Sequence, residues 1–106
     1  MIEFQYFEGC PNAVKTLENL RCALKALAID ESALILREVP SAEQAKAFNF
    51  HGSPTILVDG VDIYTGKKPD SYNYSCRVYT VANKKTGVLP KEFIEEALKI
   101  RLKLNG

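Results

Sequence analysis

A cysteine stands near the start of the chain, at the boundary between two segments of different hydrophobic periodicity. Residues 2–7 alternate apolar and polar side chains, which predicts a strand. Residues 13–27 carry apolar side chains every three or four positions, which predicts an amphipathic helix. Pro11 suits the first helical position, where its missing N–H costs nothing, so Cys10 is the expected N-cap. This strand–turn–helix start favours a mixed α/β fold.

The rest of the chain continues the alternation of strands and helices. We expect a second, largely buried strand over 33–39, a helix from a capping box at Ser41 to about Phe48, and a strand over 55–58. Asp59-Gly60 predicts a hairpin turn, with 61–64 returning antiparallel. Pro90 opens a last helix. The apolar stripe of the first helix is Val14, Leu17, Leu20, Leu24 and Leu27, and that of the last helix is Phe93, Ile94, Ala97 and Leu98, with Arg101 on the same face.

Residues 65–86 separate this hairpin from the last helix. They are polar and lack a regular period, so we expect an irregular insertion loop. The loop also contains tyrosines, which favour partial packing. A tyrosine group for anchoring the loop, or for lining a pocket, consists of Tyr64, Tyr72, Tyr74 and Tyr79.

A proline directly precedes the apolar strand 55–58. Pro54 has no N–H to give to a sheet, so it cannot be an ordinary central-strand residue. We expect a special turn at this point, with a cis peptide bond as a candidate geometry.

Length and composition limit the possible functions. The 106 residues suit one domain, 1–106, and the net charge of +1 argues against binding to nucleic acid or membranes. The first strand begins at residue 2, so we expect no signal peptide and a cytoplasmic location. Three cysteines and one histidine are too few for a disulfide scaffold or a zinc site, and we expect no metal and no cofactor.

The predicted order, β-α-β-α-β-β-α, together with Gly9-Cys10-Pro11 and Ser53-Pro54-Thr55, resembles the thioredoxin superfamily. The resemblance is to small bacterial and archaeal thioredoxin-like proteins with a Gly-Cys-Pro motif, and it covers the chain apart from the 65–86 insertion. It implies a thioredoxin-like α/β fold in which Cys10 is the attacking cysteine, with Pro11 beside it. It also implies that Pro54 is a cis-proline next to that sulfur. The segment of Ser53, Pro54 and Thr55 would then bind substrate, with the Ser53 backbone pairing with an extended peptide or glutathione.

The sequence departs from this family where a second thiol would stand. The four residues of the motif are Cys10-Pro11-Asn12-Ala13, so Ala13 replaces the resolving cysteine. Cys10 alone could still form mixed disulfides, as monothiol glutaredoxins do. The loop 65–86 should emerge on the same side as Cys10, and we therefore expect Cys76 as a candidate replacement for the resolving thiol. Arg77 and the lysines of the loop would favour a thiolate or an anionic substrate.

Other polar residues have two interpretations each. Cys10 itself is either reactive, because a helix N-terminus favours the thiolate, or an inert structural cysteine. Cys22 lies off the apolar stripe and is expected to be packed or half-exposed. His51 is either a general base near the site or a loop-packing or solvent-facing residue. The loop lysines are either solvated surface or a binding patch.

Three functions follow in order of preference. The first is a thiol–disulfide oxidoreductase, or a related redox thiol protein, acting on a protein or a low-molecular-weight thiol or disulfide through Cys10. The second is a binding protein for a soft metal or a thiol adduct, without turnover. The third is a non-catalytic thioredoxin-like interaction module.

Overall fold

A computed structural model describes residues 1–104 of the chain. Strands and helices alternate along the first part of the chain, and the last element is a helix, as the periodicities predict. The elements in order are β1 (Ile2–Tyr6), α1 (Pro11–Ala26), a short 3₁₀ helix (Glu31–Ala33), β2 (Leu34–Glu38), α2 (Ala42–Phe48), β3 (Thr55–Val58), β4 (Val61–Asp62), β5 (Tyr79–Val81), β6 (Lys84–Thr86) and α3 (Lys91–Leu102).

Four strands form one mixed sheet in the order β2-β1-β3-β4. Strand β1 pairs with β2 in parallel, through the crossover helix α1, and with β3 antiparallel. Strands β3 and β4 form the expected hairpin, although β4 is shorter than the predicted 61–64. The parallel first pair and the hairpin are thus confirmed, and the fold is mixed α/β.

Helix α1 begins as predicted, with Pro11 at its first position and Cys10 as its N-cap. Its buried face differs from the predicted stripe, because Val14 is 66% exposed. The rest of the predicted stripe is confirmed, since Leu20 and Leu24 are buried and Leu17 and Leu27 pack partly buried against the core. The buried face also includes Ala13, Thr16 and Ala23. Helix α1 packs against α3, whose buried residues are Ile94, Ala97 and Leu98, while Arg101 is exposed. Small side chains such as Ala13 and Ala23 belong to the buried face of α1, which a pattern of large apolar residues does not reveal.

The prediction that the second strand is largely buried is wrong. Ile35 and Leu36 are 38% and 44% exposed. Strand β2 lies at the edge of the sheet and pairs only with β1 within the described residues. An edge strand has fewer neighbours to cover it, and position in a sheet is not encoded in one strand's own sequence.

The segment 65–86 is more ordered than the irregular loop that the sequence predicts. Its second half forms the β5–β6 hairpin, turning at Ala82 and Asn83, which both have positive φ. Tyr79 from this hairpin is fully buried in the main core. The expectation of partial packing is therefore confirmed. Among residues 1–104, no helix combines the length and apolar character needed to cross a membrane.

Candidate functional site

Cys10 is buried at the start of α1. Its side chain belongs to the main hydrophobic core, and the residue is only 4% exposed. The first turn of α1, which it caps, contains no acidic residue. The thiol donates to the backbone oxygen of Ser53, 3.7 Å away. The nucleophile candidate is therefore in contact with the turn that precedes β3.

That turn is fixed to the end of β1. The Ser53–Pro54 peptide bond is cis, as the sequence suggests. The backbone N–H of Phe7 donates to the Ser53 hydroxyl at 3.3 Å, and the Thr55 hydroxyl donates to the Gly52 oxygen at 2.6 Å. Ser53, Pro54 and Thr55 are all buried. This turn is thus part of the core rather than a free loop.

Residues 73–77, which we call the strap, cross this turn. The N–H of Asn73 donates to the Phe50 oxygen at 2.7 Å. The N–H of Ser53 donates to the Ser75 oxygen, and the Ser53 oxygen accepts from the N–H of Arg77, both at 2.9 Å. These two bonds make a parallel β-bridge that puts Cys76 directly opposite Ser53. The strap therefore uses both backbone hydrogen-bonding groups of Ser53.

The strap brings Cys76 to Cys10. The pKa of the Cys76 thiol is raised by partial desolvation, then by negative charge on Cys10 and by a hydrogen bond to Cys10. Both are free thiols, with Cys10 buried and Cys76 exposed as a residue. The thiol of Cys10 and the residue Cys76 are thus both next to Ser53, the first through its hydrogen bond and the second through the bridge.

The side chain of Arg77 connects the strap to β3 and β4. Its guanidinium lies 2.7 Å from Oδ2 of Asp62, which is 1% exposed, and donates to the Thr55 hydroxyl at 2.9 Å. The same group lies 4.6 Å from the ring centre of Tyr79 and 5.5 Å from that of Tyr64, within cation–π range. The charge of Arg77 is therefore paired with Asp62, and its expected effect on a thiolate or an anionic substrate stays a prediction.

Tyrosines hold the strap and the neighbouring hairpin in place. Tyr74 donates from its hydroxyl to the Val39 oxygen at 3.0 Å and packs edge-on against Phe7. Tyr79 donates to the Pro54 oxygen. Burial raises the pKa of Tyr79 well above its ordinary value, so the phenol stays protonated and remains a donor. The anchoring interpretation fits these two tyrosines, while Tyr72 is 47% exposed.

The remaining residues that the sequence analysis singled out differ in where they lie. Pro11 is exposed at the rim, while Thr55 is buried with its hydroxyl held between Gly52 and Arg77. His51 is near Asp62 and Ser71, at 3.9 Å and 3.4 Å, on the side of the turn that carries the anchor. Cys22 is exposed on α1. The substrate-binding and general-base roles stay predictions.

Sequence reasoning missed Asp62. An acidic residue in a short hairpin strand between Val61 and Ile63 is an unusual core position, and this was the available signal. Its partner, Arg77, lies in the segment that was predicted to be irregular. Only the folded chain shows that the two charges meet.

The described residues hold no group of three or more His, Cys, Asp or Glu side chains placed to bind a metal ion. The chain matches no protein-family model, no curated protein and no solved structure. The function must therefore be argued from the two thiols and their surroundings.

Proposed function

We propose that the protein is a thioredoxin-like thiol–disulfide oxidoreductase in which Cys10 is the nucleophile and Cys76 the resolving thiol. The observation that supports this most directly is the bridge that sets Cys76 opposite Ser53, whose oxygen accepts from the Cys10 thiol. The strand–helix turn, the cis Ser53–Pro54 bond and the sheet order are consistent with the thioredoxin-like interpretation. Ala13 stands where a thioredoxin-like motif would have its resolving cysteine, so the resolving thiol in this proposal is that of Cys76 in the strap.

The chemistry is two successive exchanges. The Cys10 thiolate attacks one sulfur of a substrate disulfide, the substrate S–S bond breaks, and one substrate thiolate leaves and takes up a proton. Cys76 then loses its proton and attacks the Cys10 sulfur, which releases the second substrate thiol and forms a Cys10–Cys76 disulfide. The substrate gains two electrons and two protons, and the protein loses them. Two molecules of a small thiol return the protein to its reduced state.

The raised pKa of Cys76 fits the resolving role. Desolvation raises the pKa of the Cys76 thiol most, and negative charge on Cys10 raises it further. Once Cys10 is in a mixed disulfide, that negative charge is gone and Cys76 ionises more easily. The order of attack is thus favoured by the interaction between the two sulfurs.

Oxidised glutathione and mass spectrometry test the proposal. We expect the wild-type protein to form an internal Cys10–Cys76 disulfide and the variant Cys76→Ser to accumulate a glutathione adduct on Cys10. The variant Cys10→Ser should form neither product, and Cys22→Ser, a matched exposed-cysteine control, should behave as wild type. Absence of an internal disulfide in the oxidised wild type would contradict the resolving role.

The proximity of the two thiols also supports a second candidate, the binding of a soft ion such as Cu(I) without turnover. Two thiolates suffice for such ions, whereas zinc needs more ligands. Stoichiometric Cu(I) uptake that needs both Cys10 and Cys76, in a protein without disulfide exchange, would favour this alternative over the first proposal.

A further inference from the structure

We propose that Arg77 is the positioning residue of this site: it holds the strap on Ser53, so that small disulfides reach the thiol pair and extended peptides do not. This inference rests on the proposed function and adds a substrate class to it.

An extended peptide that approaches Cys10 needs backbone partners, because main-chain hydrogen bonds provide much of the affinity when a strand is added to an edge. The groups nearest the Cys10 thiol are those of Ser53. Both are already bonded to the strap, through Ser75 and Arg77. A peptide must therefore displace the strap, whereas a small disulfide needs only access to a sulfur atom.

No space is left between the strap and the turn beneath it. A methyl group added at Gly52 would lie 2.9 Å from the backbone oxygen of Ser75 and 3.3 Å from Cβ of Arg77. Gly52 also has a φ of +110°, which L side chains rarely adopt. A polypeptide cannot insert there as an additional strand while the strap is in place.

The anchor that holds the strap depends on one charge. The Arg77 side chain is 10% exposed and lies between the carboxylate of Asp62 and the rings of Tyr64 and Tyr79. Asp62 is almost fully buried, so loss of Arg77 leaves an unpaired charge that favours opening. A lysine keeps the charge but lacks the planar group that spans Asp62 and Thr55.

The test compares two disulfide probes on the full chain: oxidised glutathione, and a short unstructured peptide with one cysteine in a mixed disulfide. We expect Arg77→Ala to raise the ratio of the peptide rate to the glutathione rate about tenfold, because apparent affinity scales with the fraction of open site. Arg77→Lys should give a smaller increase. Arg21→Ala is the control, since Arg21 pairs with Glu31 on the surface and both side chains are exposed.

An unchanged ratio in folded Arg77→Ala would overturn the proposal. If this variant does not fold, the double variant Asp62→Ala with Arg77→Ala removes both charges and the same ratio is measured there. It should again rise about tenfold, since the anchor is absent, and an unchanged ratio would overturn the proposal.

A second measurement separates this proposal from the proposed function. The alkylation rate of Cys10 is compared between a small reagent and a bulky polymer-linked maleimide, which requires no disulfide exchange. Arg77→Ala should raise the bulky-to-small ratio, and Arg21→Ala should not. If exchange is absent in the wild type but this ratio rises, the function fails and the anchoring role stands; if exchange occurs and the ratio stays constant, the anchoring role fails.

Discussion

The two thiols of the site are held by different kinds of structure. Cys10 sits in the framework, by which we mean β1, α1, β3 and α3, and its position is set by a continuous apolar core. Cys76 sits in the strap, whose position is set mainly by polar contacts: backbone bonds to Ser53 and Phe50, one buried ion pair and the Tyr74 hydroxyl, with the Tyr74 ring packed against Phe7. Apolar burial is non-directional and is shared among many contacts, whereas each polar contact depends on one partner. We infer that the strap can detach from Ser53 while the framework remains folded.

The largest effect on stability is expected from the framework. Leu24 is fully buried in α1, and Leu24→Ala should lower the free energy of unfolding by about 2–5 kcal/mol. Chemical denaturation measures this loss. Val14→Ala on the same helix is the control, with an expected change of about 0.5 kcal/mol or less, because Val14 is exposed. Equal losses in the two variants would show that α1 is packed differently.

A smaller effect is expected from the strap. Tyr74→Phe removes the hydrogen bond to the Val39 oxygen but keeps the ring against Phe7. The loss should be about 1 kcal/mol, the usual worth of one such bond. Hydrogen exchange at the backbone N–H of Arg77 should speed up while exchange in β1 stays constant. Equal acceleration in both regions would contradict the separation of strap from framework.

The smallest effect concerns the interaction between the two sulfurs. Negative charge on Cys10 and its hydrogen bond raise the pKa of Cys76, so Cys10→Ala should lower that pKa toward the ordinary thiol value. A lower pKa means more thiolate at a fixed pH below it, and alkylation of Cys76 should become faster. Desolvation remains in the variant, so the shift is partial. Cys22→Ala is the control. Slower or unchanged alkylation of Cys76 in Cys10→Ala would show that the sulfurs do not interact.

The same contrast separates what the sequence could predict from what it could not. Cys10 as N-cap, the helix start at Pro11 and the hairpin after β3 all depend on neighbouring residues, and all are confirmed. Of the capping box, the Ser41 half is confirmed, since the Ser41 hydroxyl accepts from the N–H of Gln44. The exposure of Leu36 depends on where β2 lies in the sheet. The position of a strand in a sheet depends on distant parts of the chain, and the residues of the strand alone do not encode it.

The strap and its contacts were the part of the fold that the sequence predicted least well. Asp62 and Arg77 each look like surface charges in the sequence, and their pairing depends on a long excursion of the chain. The β5–β6 hairpin was missed because each of its strands has only three residues, too few to show a regular alternation of apolar and polar side chains. Its turn at Ala82 and Asn83 uses positive φ without a glycine, so the usual turn signal was absent.

The contact between Cys10 and the Ser53 oxygen spans 43 residues of sequence, and Cys76 lies further along the chain. Contacts between distant residues require closure of long loops, and such contacts form late during folding. On a chain emerging from synthesis, Cys10 exists well before the segment that carries its partner. Under the proposed function, thiol pairing at this site therefore becomes possible only after these distant contacts have formed and residues 73–77 lie on Ser53.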